Sequence, residues 1–268
     1  MSTSNLKYSF KLANQRVLIL GGSSGIGFAV AEAAFEQGAH LVLSSSNQTK
    51  LDSAAARIKE TYPTQAEKQT IITVVGDLSD AHNLDKTFEH IFQTATSNGT
   101  HKLNHIVTTA GDGINFPSVD ETSAQIVYNT MNVRFVAPAV MAKFIPKHVE
   151  TSKSSSVTLT SGALARKPSP GRFLVGGLGA AVEGLARGMA VDLAPVRVNT
   201  VAPGAVKTEI FNFIPEEMRE KVFQSMRDGS LTGTMGRPED LAESYVYLMK
   251  DHFATAAVID SNGGFPFK

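Results

Sequence analysis

The stretch Leu20-Gly21-Gly22-Ser23-Ser24-Gly25-Ile26-Gly27 holds the residues best suited to chemistry, and the chemistry is capture of a phosphate group. It follows an apolar run over 17–20 and opens an alanine-rich segment over 28–37, so it reads as strand, glycine turn and helix. In that order backbone N–H groups and the positive helix end face a pyrophosphate. Gly21 serves the tight turn, Gly25 lets phosphates approach the backbone, and Gly27 lets the helix pack on the strand. Ser23, Ser24 and Ile26 complete this contact set. A second polar set, Ser45, Ser46, Asn47 and Lys50, falls about 20 residues on, where a dinucleotide site chooses its ribose. A carboxylate there would repel a 2′-phosphate, whereas hydroxyls, an amide and a lysine can donate to it, so NADP(H) is favoured over NAD(H). The same residues also suit the cap of a helix over 48–60.

These groups need a sheet to hold them. Apolar runs over 17–20, 41–43, 71–75, 103–109, 157–161, 198–202 and 257–260 read as buried strands. Helical patterns over 28–37, 48–60, 81–96, 123–144, 172–193 and 237–249 alternate with them. The expectation is an α/β, Rossmann-type, doubly wound fold with a seven-stranded, mainly parallel sheet and helices on both faces. One domain spans 15–268, after a flexible tail over 1–14. Asp112, in the loop after the fourth strand, falls where open α/β sheets bind ligands, so it is a candidate pocket group. The expected walls are 112–117, 162–172 and 207–234, made largely apolar by Phe116, Phe173, Phe211, Phe213 and Ile214. The last of these reads as a substrate lid.

Composition narrows the classes. Lysine plus arginine equals aspartate plus glutamate at 25 each, so no global field favours nucleic acid or an anionic membrane, and a small-molecule partner is expected. The chain has no cysteine, which removes disulfides, thiolate catalysis and cysteine metal sites. No metal is expected. No uninterrupted apolar run reaches the roughly 18 residues of a membrane span, and the start is polar, so a cytoplasmic protein is expected. The histidines, at 40, 82, 90, 101, 105, 148 and 252, fall outside the expected pocket loops, which disfavours a Ser-His hydrolase.

The glycine spacing, together with Thr108-Thr109-Ala110-Gly111, Ala180-Ala181-Val182-Glu183-Gly184-Leu185, Val198-Asn199 and Pro203-Gly204, resembles the short-chain dehydrogenase/reductase family over residues 15–264. The resemblance implies that Ala110 and Gly111 lie along the cofactor and that Asp77, followed by Leu78, meets the adenine. Asp77 equally suits a turn cap. Pro203, Gly204 and Thr208 match the family's residues around the nicotinamide. Ser161 matches its catalytic serine, and Asn132 its water-holding asparagine or, as a residue, a polar group at a helix bend. The family's tyrosine and lysine positions fall on Val175 and Gly179. No tyrosine lies between Tyr128 and Tyr245, and within 154–206 the sole lysine is Lys167.

In the family that tyrosine protonates a carbonyl oxygen as hydride arrives. Reducing an iminium ion creates no anion, so positioning can suffice there. Reducing an enone still needs a donor, for which Ser161, a protonated Asp112, Arg166 or Lys167 are candidates. The first reading is therefore an atypical NADP(H)-dependent reductase of an apolar small molecule, an iminium or an enone, similar to divergent fungal members of secondary metabolism. Arg166 and Lys167 argue against a cationic substrate if they face it. A bifunctional reductase/cyclase, a non-redox cyclase or isomerase, and a non-catalytic ligand-binding protein are the alternatives. The resemblance also implies a homodimer or homotetramer.

Overall fold

The computed structural model describes residues 8–111 and 116–268. Its strands are β1 Arg16–Leu20, β2 His40–Ser45, β3 Ile71–Val75, β4 His105–Thr108, β5 Ser156–Thr160, β6 Arg197–Pro203 and β7 Val258–Ser261. They form one seven-stranded sheet in the order β3-β2-β1-β4-β5-β6-β7. Every neighbouring pair is parallel, so the sheet expected to be mainly parallel is wholly so. The helices are α1 Gly25–Glu36, α2 Gln48–Thr61, α3 Pro63–Ala66, α4 Leu84–Ala95, α5 Ala124–Met131, α6 Ala137–Met141, α7 Ile145–His148, α8 Phe173–Asp192, α9 Glu216–Asp228 and α10 Pro238–Lys250.

A strand sends alternate side chains to opposite faces, and β1 shows the result. Leu18 and Leu20 join the core formed with Phe88 and Phe92 of α4, Met141 of α6 and Val182 of α8. Val17 and Ile19 join the other core, with Phe35 of α1, Leu51 of α2 and Tyr245 of α10. Both faces are covered, which is why the strands read as continuous apolar runs. The strand order reverses at β1, which pairs with β2 on one edge and β4 on the other. At such a reversal the connections leave to opposite faces and a crevice opens beyond the carboxyl ends of the strands.

The helix expected over 123–144 is interrupted. Ser123 caps α5 by accepting from the Ile126 N–H at 3.3 Å, but the chain then widens into a π turn over Asn132–Val136 before α6. Pro138 supplies the reason: it has no N–H for the carbonyl of Arg134, and its ring crowds that carbonyl in a regular helix. A wide turn relieves both faults, and it places Asn132 at the bend.

Two further placements matter. Within the expected tail Leu12 is buried and the Asn14 N–H donates to the Gly38 carbonyl at 2.8 Å, while Tyr8 and Phe10 are exposed. Helix α8 is long and apolar enough to cross a membrane by length and composition, yet it packs against β5, β6 and the turn Ala163–Ala165 as a core helix.

Candidate active site

The glycine turn follows β1 directly, and close contacts explain its composition. A Cβ on Gly21, which adopts φ +91°, would lie 2.6 Å from the Ala110 nitrogen. One on Gly27 would lie 2.2 Å from the Gly21 carbonyl oxygen, so the helix can meet the strand only through a glycine. Gly25 has φ +53°, and beyond it stand Cβ and Cγ2 of Thr208, each 3.3 Å from where a Cβ would be. The fold thus brings Ala110, the glycines and Thr208 together from three distant parts of the chain. Ser24 occupies the N-cap of α1 without a side-chain cap bond, and the first turn carries no acidic residue. The positive end of α1 suits an anion, and Glu209 Oε2 stands 3.5 Å from where a Gly25 Cβ would be. Ser23 and Ile26 are half-buried beside it, and Ile26 packs on the second core.

This cradle fits a dinucleotide phosphate, since its glycines stand where side chains would fill the space. Around the end of β2, Ser46, Asn47 and Lys50 are exposed and Ser45 half-buried. The Asn47 side chain accepts from the Lys50 N–H at 2.9 Å, so it caps α2 and leaves its amide N–H₂ for other partners. The nearest carboxylate along the chain, Asp52, accepts from Gln48 Nε2 at 2.6 Å.

Asp77 is exposed after β3, and its Oδ1 accepts from the Ser79 N–H at 2.9 Å and the Ser79 hydroxyl at 2.7 Å. The turn-cap reading of Asp77 is therefore realised, and Oδ2 takes no part in it. Leu78 next to it is buried. Asn132 reaches back to this loop, its Nδ2 donating to the Ser79 carbonyl. Its Oδ1 is buried without a partner among the described residues. A buried acceptor of this kind suits a bound water.

Ahead of the cradle, Thr109 takes over the bracing of the strand end: its hydroxyl donates to the Leu20 carbonyl at 3.2 Å. A Cβ on Gly111 would meet the Arg134 guanidinium, so that arginine covers the end of β4. Asp112 lies outside the described residues. On the other side Gly204, after β6, donates its N–H to the Ser261 carbonyl at 3.1 Å, and Pro203 pairs in register with Ser261. The segment 207–234, expected as a lid, follows, flanked by a bridge between Val206 and Gly236, and within it Phe211 stands edge-on to Phe223 at 5.6 Å.

Ser161 sits just past β5. Its hydroxyl has two acceptors, the Gly179 carbonyl and Glu183 Oε1, each at 3.1 Å. Glu183 is only 3% exposed, and its Oε2 accepts from Arg166 Nη1 at 2.5 Å. Asp260 lies on the other side of that guanidinium, 3.8 Å from Nε. The hydrogen bond to Glu183, helped by the charges of Glu183 and Asp260, raises the Arg166 pKa above the usual arginine value. Lys167 points elsewhere, its Nζ 5.5 Å from the centre of the Phe265 ring. Arg166 thus forms an inward ion pair and Lys167 a ring contact. Glu183 escaped sequence reasoning as a site residue, although one carboxylate on the buried face of an apolar helix was a usable signal. Val175 is half-buried on α8, and Gly179, one turn on, faces Ala165 and Ser161.

Comparison with known proteins agrees with this geometry. A family model described as an SDR-like Rossmann domain matches residues 8–267. The chain is 40% identical over 253 residues to the short-chain dehydrogenase/reductase malC of Malbranchea aurantiaca, covering 94% of this chain and 95% of that one. It is 38% identical over 260 residues to the short-chain dehydrogenase/reductase fsr5 of Gibberella fujikuroi, covering 96% and 97%. The solved structure of the MalC reductase/Diels-Alderase superposes with a TM-score of 0.90 at 39% identity, over 96% of this chain and 98% of that one.

Proposed function

The chain belongs to the short-chain dehydrogenase/reductase family, an oxidoreductase family, and from that premise we propose an NADP(H)-dependent reductase of an apolar iminium or enone that works without the family's tyrosine and lysine. The observation that carries the proposal is the pairing of an intact glycine cradle with Val175 and Gly179 on α8. NADPH, when bound, supplies a hydride. Gly21, Ser23, Ser24, Gly25, Ile26 and Gly27 would hold its pyrophosphate, and Ser45, Ser46, Asn47 and Lys50 its 2′-phosphate. Asp77 and Leu78 would flank the adenine, while Ala110, Gly111, Pro203, Gly204 and Thr208 would line the nicotinamide half. Val175 can neither give nor take a proton, so the site suits an acceptor that needs none, and an iminium becomes a neutral amine on gaining hydride. The lid, with Phe211 edge-on to Phe223, would exclude water from that step.

A cyclisation on the same fold is the second reading, favoured by the likeness to the MalC reductase/Diels-Alderase. Parallel calorimetric titration with NADP⁺, NADPH, NAD⁺ and NADH tests the first. Binding that depends on the 2′-phosphate is the expected result; absence of binding by all four would remove the reductase and leave the cyclase or a binding protein.

A further inference from the structure

We propose that Glu183 is a positioning residue that keeps the Ser161 proton turned inward, so that Ser161 meets its ligand as a hydrogen-bond acceptor and selects groups bearing an N–H, a protonated imine or ammonium above a carbonyl. The inference rests on the reductase reading for the place of Ser161 beside the substrate, and it deepens that reading by naming the substrate class.

A serine hydroxyl carries one proton and two lone pairs. Among the described residues, both neighbours that can receive the Ser161 proton, the Gly179 carbonyl and Glu183 Oε1, belong to the protein interior, each at 3.1 Å. Neither can donate in return: a carbonyl oxygen has no proton, and the Glu183 carboxylate is held by Arg166 at 2.5 Å. Turning the proton outward would leave a buried carboxylate oxygen one bond short, a costly state for a group with 3% exposure. The oxygen lone pairs of Ser161 are what remain for a ligand. Such an atom repels a carbonyl oxygen and attracts an N–H. Charge points the same way, because Glu183 and Asp260 share the single guanidinium of Arg166, two carboxylates to one cation. The space a lysine would need is also taken, since a Cβ on Gly179 would lie 3.0 Å from Ala165 Cβ and 3.3 Å from Ser161 Oγ.

The test is calorimetric binding to the full chain saturated with NADPH, using cations that NADPH cannot reduce and one ketone. The probes are 1,2,3,4-tetrahydroisoquinolinium, which carries N–H, and its N,N-dimethyl analogue, which keeps the charge and lacks the donor; 2-tetralone serves as the carbonyl control, followed by NADPH oxidation. Wild type should bind the N–H cation about tenfold more tightly than the dimethyl cation. Glu183→Gln, whose amide can donate to Ser161 and turn its proton outward, should bring the ratio to within about twofold, and Glu183→Asp should restore part of it. Ser161→Ala, confirmed as folded by circular dichroism, should lose the ratio as well. An unchanged ratio in Ser161→Ala, or in a folded Glu183→Gln, overturns the inference; so does a wild type that binds NADPH but neither cation, or that prefers 2-tetralone. Titration with NADPH alone separates the two failures: no NADPH binding removes the reductase reading and this inference together, whereas NADPH binding without the ratio removes only this inference.

Discussion

At Gly179 one hydrogen atom stands where a side chain would press on Ala165 Cβ at 3.0 Å and Ser161 Oγ at 3.3 Å. Gly179→Lys should therefore destabilise the chain by about 1–3 kcal/mol, the usual cost of overpacking, measurable as a lower urea midpoint. Val175→Tyr combined with Gly179→Lys should not give an efficient ketone reductase; a large gain in carbonyl reduction by NADPH would show the pocket to be more conventional than its residues indicate. Gly25 answers to two constraints at once. Its φ of +53° costs a residue with a Cβ roughly 1–2 kcal/mol, and that Cβ would press on Thr208 at 3.3 Å. Gly25→Val should lose dinucleotide binding in a calorimetric titration while most of the fold persists.

Among the elements, β6 and α10 are joined by a buried cation. Arg197, at the start of β6, donates from Nε to the Lys153 carbonyl at 2.7 Å, and from Nη1 and Nη2 to the carbonyls of Leu248 and Met249 at 2.7 and 3.1 Å. It thereby caps the carboxyl end of α10, where the helix dipole favours a positive charge. Burial lowers its pKa, and Asp251 opposes that shift. Arg197→Met should cost on the order of 3 kcal/mol, since several buried carbonyls would lose their donor, and a fall in urea midpoint without loss of slope checks it. The strands of this architecture could be read in advance because a sheet covered on both faces demands uninterrupted apolar runs, as in Val17–Leu20; the run 71–75, read as buried, is a partly covered edge strand with Val75 exposed. The bend was legible as one reading of Asn132, but its π form was not, because Asn132–Val136 has an ordinary helical composition and Pro138 is what signals the fault. The cradle was legible for a related reason: backbone geometry dictates glycine locally. The Ser161–Glu183–Arg166 cluster was not, since it depends on how the turn Ala163–Ala165 folds back over α8.

The whole molecule should lose stability in mild acid. His105 on β4 is buried between Ser156, 2.8 Å from its Nδ1, and Gln15. Burial first, then the charges of Arg197 and His252, lower its pKa to about 3. In the unfolded chain it returns to about 6.5, so between those values unfolding takes up a proton. Stability from this group is complete above about pH 6.5 and falls by about 1.4 kcal/mol per pH unit on the way down, levelling near 3. His40, His148 and His252 are lowered too, chiefly by burial, and add in the same direction. Urea unfolding at a series of pH values should show this slope, and His105→Gln should flatten it. The strand order has a consequence for the birth of the chain. Val17 of β1 waits for His105 of β4, so on the ribosome β1 emerges with one edge paired to β2 and the other open until the fourth strand is made. During that interval a nascent half-sheet exposes its most apolar strand, the stage at which a translating chain is most prone to aggregate and most in need of a chaperone.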